Sequence, residues 1–368
     1  MKKVLFAAYS LDVGGIETAL INLLKEICND YEITLVLEKK EGIFLKELPE
    51  NINVIEYRKS SSSNVFVRKV QNFIRQIMFK FKYKNKFDYS VCYATYSFPC
   101  SFVARVSSKK PILFVHNDYM SFYNNDAKKY VEFFYNNVKQ YKEFFYNLQV
   151  FEYQKIIFVS NYDKAVFDIK MHEFANKTMF INNLIDYKKI IDKSNEKVDD
   201  FKKSKEVTFI NIGRHDEKQK KLSRIIAAIK KLNRDKYNFR VVFIGAGIDD
   251  EKYFKQANGV KNIEFLGVKE NPYPYLKKSD CLLMSSQFEG YPVVFVESMI
   301  LNKPIVTTLV SDANKDIKDK FGIVTENSLD GVYDGMKKFL DEGFEIKKKF
   351  DPEKFNKDII NELKKVFS

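Results

Sequence analysis

The most constraining feature of this sequence is an alternation, run through twice, of short apolar stretches with segments of helical period. Residues 4–9, 33–38, 89–94, 112–116 and 155–159 are apolar runs of strand length. Between the first two, residues 18–27 place apolar side chains at 19, 20, 23, 24 and 27, which is the period of a helix. Strand, glycine-containing turn, helix and strand make a βαβ unit. The second half restarts the pattern with runs at 207–212, 240–244, 262–266, 281–284 and 304–307. Such alternation predicts parallel sheets covered on both faces, an α/β fold. With 368 residues the chain is too long for one ordinary core. The polar, Lys-rich stretch 182–200 marks a boundary, so two Rossmann-like domains are expected, 1–185 and 186–351, facing each other across a cleft. Residues 352–368 read as a terminal amphipathic helix that packs back on the first domain.

Charge narrows the partners. The formal net charge is +13, which favours anionic ligands: nucleic acid, anionic lipid or phosphorylated small molecules. Cys28, Cys92, Cys100 and Cys281 form no C-x-x-C pair, as expected for reduced thiols. The apolar start, Val4 to Tyr9, stops short at Asp12 and reads as a buried strand rather than a signal peptide. No apolar stretch reaches the roughly 20 residues needed to span a bilayer.

Two segments exceed what an α/β scaffold needs. Residues 65–87 contain Arg68, Lys69, Arg75, Lys80, Lys82, Lys84 and Lys86 without an acid. Val67, Val70, Phe73, Ile74, Ile77, Met78 and Phe81 keep a helical period there. This is either a basic amphipathic helix for an anionic membrane surface or a helix packed on the sheet with a solvated basic face. Residues 120–153 repeat an aromatic cluster, Glu132-Phe133-Phe134-Tyr135-Asn136 and Glu143-Phe144-Phe145-Tyr146-Asn147. Eleven residues are close to three helical turns, so both clusters would share one face, as a docking surface or as a wall of an acceptor site.

The chemistry concentrates in two places. After the run 281–284 comes Glu289-Gly290-Tyr291-Pro292-Val293-Val294-Phe295-Val296-Glu297. Gly290 permits a tight turn, Pro292 suits the first turn of a helix, and Val293, Val294 and Val296 bury it. A helix start with free amides is an anion site, so a diphosphate there needs no metal from the protein. Glu297 lies about 7.5 Å further along the axis. The two carboxylates can accept hydrogen bonds from a ribose and from a sugar ring. The second place is Asn211-Ile212-Gly213-Arg214-His215-Asp216-Glu217-Lys218-Gln219-Lys220-Lys221. Arg214 emerges at a strand end, where a guanidinium and a lysine can bind phosphate. Alone, this stretch is equally a charged loop. His116 sits at a strand end before Asn117-Asp118, a more functional setting than those of His172 and His215. Neither an Asp-x-Asp pair nor a His and Cys cluster suggests a metal.

These pieces together resemble retaining glycosyltransferase family 4, of GT-B fold. The resemblance rests on Glu289-x7-Glu297 and on Gly213-Arg214 with its Lys-rich loop. Gly14-Gly15-Ile16-Glu17-Thr18, Val115-His116-Asn117-Asp118-Tyr119, Phe243-Ile244-Gly245-Ala246-Gly247, Phe265-Leu266-Gly267 and Asn271-Pro272-Tyr273 support it, over most of the chain. The resemblance implies that Glu297 binds the donor ribose and Glu289 the sugar hydroxyls near the reacting carbon. Arg214 and Lys220 would hold the diphosphate, with Lys221 as the alternative lysine. Gly14 and Gly15 would form the N-terminal glycine loop, and His116 would lie close to the anomeric centre. Gly290, Tyr291, Pro292, Val293 and Val294 would line the donor site. The expected reaction moves a sugar from a nucleotide-diphosphate donor, UDP-linked, to a lipid-linked glycan in capsule or other surface polysaccharide synthesis. It would need no cofactor, and the enzyme would be cytoplasmic and peripheral on the inner face of the cell membrane.

Three other readings are weaker. An epimerase of the same fold would need general acid and base carboxylates and no basic acceptor surface. A nucleic-acid-binding protein would need its charge organised into a recognised module. A dehydrogenase would need G-x-G-x-x-G, which neither Gly14-Gly15 nor Gly245-Ala246-Gly247 completes.

Overall fold

The computed structural model describes residues 1–12, 14–94, 97–116, 138–311 and 313–368. The chain divides into two compact units, Met1–Leu184 with Asn356–Ser368, and Ile185–Phe355.

In the first unit the elements run β1 (Lys2–Ala8), α1 (Gly15–Ile27), β2 (Tyr31–Leu37), β3 (Asn53–Glu56), α2 (Val65–Tyr83), β4 (Tyr89–Cys92), α3 (Phe98–Ser107), β5 (Pro111–Val115), α4 (Val138–Asn147), β6 (Lys155–Phe158), α5 (Asn161–Lys170) and β7 (Thr178–Phe180). All neighbouring strands are parallel, in the order β3-β2-β1-β4-β5-β6-β7. The second unit contains α6 (Tyr187–Lys193), β8 (Val207–Ile212), α7 (Leu222–Arg234), β9 (Phe239–Ile244), α8 (Asp250–Ala257), β10 (Ile263–Phe265), α9 (Tyr273–Lys278), β11 (Cys281–Met284), α10 (Val293–Ile300), β12 (Ile305–Thr308), α11 (Asn314–Ile317), β13 (Gly322–Thr325) and α12 (Leu329–Glu342). Its sheet is also parallel, in the order β10-β9-β8-β11-β12-β13. Each order starts centrally, grows to one edge, returns and grows to the other, as in Rossmann sheets. The expected α/β class with two Rossmann-like domains is the one observed.

Strands fell where short apolar runs predicted, to within one or two residues. β4, β5, β11 and β12 are buried at every position. That is the condition of a parallel strand with helices on both faces. The edge strands β3 and β13 were not anticipated: each has partly exposed positions, so neither shows a continuous apolar run.

The terminal helix α13 (Pro352–Val366) starts at the end of the second unit and finishes in the first. Its last apolar turn is buried through Ile359, Leu363 and Val366, followed by buried Phe367. The Phe367 ring meets those of Phe6, Tyr31 and Tyr89 at centroid distances of 6.4, 5.3 and 5.5 Å. Lys2 Nζ donates to the Phe367 carbonyl at 2.8 Å.

Helix α2 bears on the sheet-packed reading of residues 65–87. It ends at Tyr83, and the apolar residues of helical period do not pack on the sheet. Phe79 alone of its residues is buried, while Phe66, Phe73, Ile77, Met78 and Phe81 are exposed. The reading as a helix packed on the sheet by those residues is therefore incorrect. Aromatic packing explains it: Phe79 is held by Tyr57, Tyr83 and Phe102 at 4.9, 4.8 and 6.2 Å, which fixes the other side of the helix inward.

Of the repeated aromatic clusters, 132–136 lies outside the described residues. In the second, on α4, Phe145 is buried beside Phe167 at 4.9 Å, with Tyr141 on the same face. Tyr146 is exposed and donates to Glu173 at 2.8 Å.

The packing of Phe367 yields a test. Phe367→Ala should cost about 3–5 kcal/mol, read as a lower midpoint in denaturant, because a large ring leaves a filled aromatic site. An unchanged midpoint would show that the C-terminal helix is not part of the first core.

Candidate functional site

In the second sheet the strand order turns over between β8 and β11, which are hydrogen-bonded neighbours. The connections leaving their carboxyl ends pass to opposite sides, and ligands bind in the crevice this opens. The two loops at that point are 213–221 and 285–292, the stretches singled out in the sequence.

The first loop is held from below. Gly213 N–H donates to the Ile244 carbonyl at 3.0 Å and His215 N–H to the Ala246 carbonyl at 3.1 Å, continuing the β8–β9 ladder beyond its end. Gly245 has φ +137°, and a Cβ there would lie 1.9 Å from the Gly213 carbonyl oxygen. Only glycine lets these backbones approach so closely. His215 is buried, and its Nδ1 shares a hydrogen bond with Asp250 at 2.5 Å. His215 thus braces the loop from within the fold. Its neighbours in sequence are charged, so nothing there announced its burial. Glu217 accepts from the Ser223 backbone amide and hydroxyl and from Tyr253. This carboxylate answers one amide in the first turn of α7, that of Ser223.

The upper side of the loop carries the cations. Arg214 is exposed, and its Nη2 contacts Gln219 Oε1 at 3.3 Å. Lys220 Nζ lies 2.5 Å from Glu289 Oε1, with side chains only 18% and 9% exposed. Glu289 also accepts from Ser286 Oγ at 2.7 Å and from Gln219 Nε2 at 3.3 Å. Arg214, Gln219, Glu289 and Lys220 therefore form one connected polar cluster. Between the two candidate lysines the geometry is unequal. Lys220 reaches Glu289, whereas Lys221 has left-handed backbone, φ 53°, at the start of α7. Gln219 and Ser286 were not singled out from the sequence; their signal, a side-chain amide and a hydroxyl in the two loops, is too common to stand out.

The second loop leads into α10. Glu289 N–H donates to the Val310 carbonyl at 3.3 Å. Tyr291 OH meets Asp316 at 3.1 Å. Pro292 precedes the helix, with ψ 118°, and the helix begins at Val293. Its expected place in the first turn is corrected by one position. The helix bears no side-chain cap and no acid in its first turn. Phe295 N–H finds the Pro292 carbonyl at 3.0 Å, whereas the Val293 and Val294 amides have no acceptor among the described residues. An uncapped helix start of this kind attracts anions. Gly290 is half-buried in the same loop.

Glu297 lies one turn into α10 and accepts from Tyr273 OH at 3.1 Å. It retains some exposed surface yet is enclosed enough that burial raises its carboxyl pKa to about 7, partly offset by the tyrosine hydrogen bond. It is therefore not a solvated helix position.

The remaining candidates belong to the first unit. Gly14 precedes α1, beneath the Glu17 carboxylate, and Thr18 Oγ1 donates to its carbonyl at 2.9 Å. Gly15 opens the helix exposed, and a Cβ there would meet nothing within 4 Å. His116 follows β5 and is buried against Tyr93, with ring centroids 4.4 Å apart. Neither ring nitrogen has a hydrogen-bond partner among the described residues, and burial lowers its pKa to about 3. The imidazole is therefore neutral at ordinary pH. Asn117, Asp118 and Tyr119 lie outside the described residues. Among the described residues no group of three or more His, Cys, Asp or Glu is placed to hold a metal, and no helix is long and apolar enough to cross a membrane.

Comparison with known proteins gives this arrangement a class. Over its whole length the chain superposes on solved structures of Anabaena Alr3699/HepE, in complex with UDP and glucose, with a TM-score of 0.73 at 15% identity, covering 99% of this chain and 100% of that one. The chain has the GT-B fold, two Rossmann-like parallel sheets. Residues 192–358 match the family described as Glycosyl transferases group 1. An uncharacterized glycosyltransferase of Methanocaldococcus jannaschii, MJ1059, is 30% identical over 167 residues, spanning 43% of this chain and 40% of that protein. Across 93% of this chain and 91% of its own length, 23% identity links it to a Campylobacter jejuni enzyme, N-acetylgalactosamine-N,N'-diacetylbacillosaminyl-diphospho-undecaprenol 4-alpha-N-acetylgalactosaminyltransferase. The capsular polysaccharide biosynthesis glycosyltransferase CapH of Staphylococcus aureus is 31% identical over 176 residues, 45% of this chain and 46% of CapH.

The elevated Glu297 pKa has a definite sign. The folded state holds this proton more tightly than the unfolded chain, whose carboxyl titrates near 4.5. Its stabilising contribution is complete below that value and is lost as pH rises through about 7. Glu297→Gln should therefore raise stability at pH 8 by on the order of 1–3 kcal/mol and change it little at pH 4.5. Equal shifts in melting temperature at the two pH values would contradict this account.

Proposed function

We propose that the enzyme transfers a sugar, with retention of configuration, from a UDP-linked donor to the hydroxyl of a lipid-linked glycan in surface polysaccharide synthesis. The observation that carries this reading is the pairing of an uncapped helix start, at Val293, with the Lys220–Glu289 ion pair at the β8–β11 reversal. The diphosphate takes the amides of α10 together with Arg214 and Lys220, which offset the charge that grows on the departing group. As phosphate oxygens replace the carboxylate on Lys220, Glu289 is freed to accept from sugar hydroxyls. Glu297 receives the ribose hydroxyls, and Tyr273 positions its carboxylate. His116, neutral, offers hydrogen bonds near the reacting carbon, and Gly15 leaves room for substrate at the start of α1. No cofactor or metal is required for this scheme.

The acceptor class is supported by the Campylobacter relative, whose name specifies a diphospho-undecaprenol-linked substrate, and by CapH. The buried, unpaired cysteines suit a reducing compartment and support a reaction at the cytoplasmic face of the cell membrane.

Arg214→Ala and Lys220→Ala should each lower turnover by at least about 100-fold. Arg214 is exposed with one weak contact, so that variant should keep its far-UV circular dichroism and melting temperature. The assay is release of nucleoside diphosphate from UDP-sugars in the presence of polyprenyl-diphosphate sugars. Undiminished release in Arg214→Ala would refute the donor site. Sugar interconversion without acceptor and without nucleotide release would indicate an epimerase instead.

A further inference from the structure

We propose that α2 is an in-plane anchor that lays its exposed apolar face into the surface of an anionic bilayer. The argument starts from which side of the helix the fold uses. Asn64 caps it by accepting from the Phe66 and Val67 amides at 2.9 and 3.2 Å. Inward, Phe79 packs against Tyr57 and Phe102, Tyr83 packs against Phe79 and Phe87, and Asn72 accepts from the Ser60 amide at 2.8 Å. A helix advances about 100° per residue, so Asn72, Gln76, Phe79 and Tyr83 occupy one narrow arc, and that arc is the docked one.

The opposite arc is apolar without interruption. Phe73, Phe66, Ile77, Val70, Phe81 and Ile74 follow one another around it, and Val67 and Met78 complete about 140°. All are exposed, Phe66 by 75% and Phe81 by 92%. A contiguous apolar face of this size on a monomer marks a binding surface.

Cations border the face on both sides. Lys69 and Lys80 lie along one edge, and Arg68, Arg75 and Lys82 beyond Gln71 along the other. Between Glu56 and Asp88 the chain has no acid at all, and Arg58, Lys59, Lys84 and Lys86 add to the same field. Arg58, Lys59 and Arg75 also line a groove of about 120 Å³ between α2 and α3, beside Asn72 and Phe98. An apolar stripe with positive margins on both flanks complements a layer that is apolar below and anionic above. A second copy of the chain would bring like-charged margins together.

The absence of tryptophan makes the test direct. Phe73→Trp gives a protein whose only indole sits on the stripe. Its emission should shift to the blue when phosphatidylcholine vesicles containing phosphatidylglycerol are added, and brominated lipid should quench it. Phe254→Trp, exposed on α8 of the second unit, should not respond. In co-sedimentation, Phe73→Glu with Ile77→Glu should reduce binding to these vesicles at least tenfold, and Lys80→Glu with Lys82→Glu should remove the dependence on phosphatidylglycerol. Both pairs are exposed, so unchanged circular dichroism confirms folding. The proposal fails if the wild type ignores the vesicles, if the Phe73 and Ile77 pair sediments like wild type, or if it instead abolishes a concentration-dependent dimer in gel filtration. None of these readouts involves sugar transfer, so the anchor and the proposed reaction stand or fall separately.

Discussion

Everything at the Lys220–Glu289 cluster depends on one topological constraint, the reversal of strand order between β8 and β11. Two adjacent parallel strands whose following helices leave to opposite faces cannot cover the gap above their ends. Side chains from both exits must meet there, and their partners are each other. Lys220 and Glu289 are 69 residues apart in sequence, yet they share a hydrogen bond because their strands are neighbours. The support beneath is equally determined. The carbonyl of Gly213 can lie against Gly245 only because no Cβ intervenes, and the His215–Asp250 contact closes the same corner.

The two helices that start at this point are treated differently. The first turn of α7 is answered internally by Glu217. In α10 the Val293 and Val294 amides are answered by nothing among the described residues, and proline precedes them. Helix starts normally gain a side-chain acceptor worth about 1 kcal/mol. Leaving one bare beside Lys220 and Arg214 forgoes that stability and keeps a positive site available for a ligand. Glu289, holding Lys220 at present, keeps the ammonium from standing unpaired in a partly buried place. Anion binding in the proposed reaction is then an exchange of partners on Lys220 rather than the filling of an empty site.

Legibility followed burial. Strands enclosed on both faces announce themselves as unbroken apolar runs, and β4, β5, β11 and β12 were read on that basis. Edge strands β3 and β13 escaped because part of each faces solvent. Glu289, Glu297, Arg214 and Lys220 were legible as types at strand and helix ends, a one-dimensional property. The hydrogen bonds that Gln219 and Ser286 make to Glu289 were not, since they depend on which loops the sheet order brings together. The burial of His215 was not legible for a related reason: a charged neighbourhood in sequence conceals a side chain that turns inward.

Helix α2 shows the limit of periodicity in its sharpest form. Its apolar residues are spaced as for any helix that packs on a sheet, and the period alone cannot say which arc is inside. The arc was decided by two aromatics, Phe79 against Tyr57 and Phe102, and Tyr83 against Phe87, partners that lie outside the helix. Once they fix the helix, the longer and more apolar face has to point away from the protein. A sequence under selection only for folding would replace that face with polar residues, as exposed Phe and Ile bring no stability in water and promote aggregation. What keeps such a face compatible with a dispersed protein is charge on both margins, and the acid-free stretch from Glu56 to Asp88 supplies it.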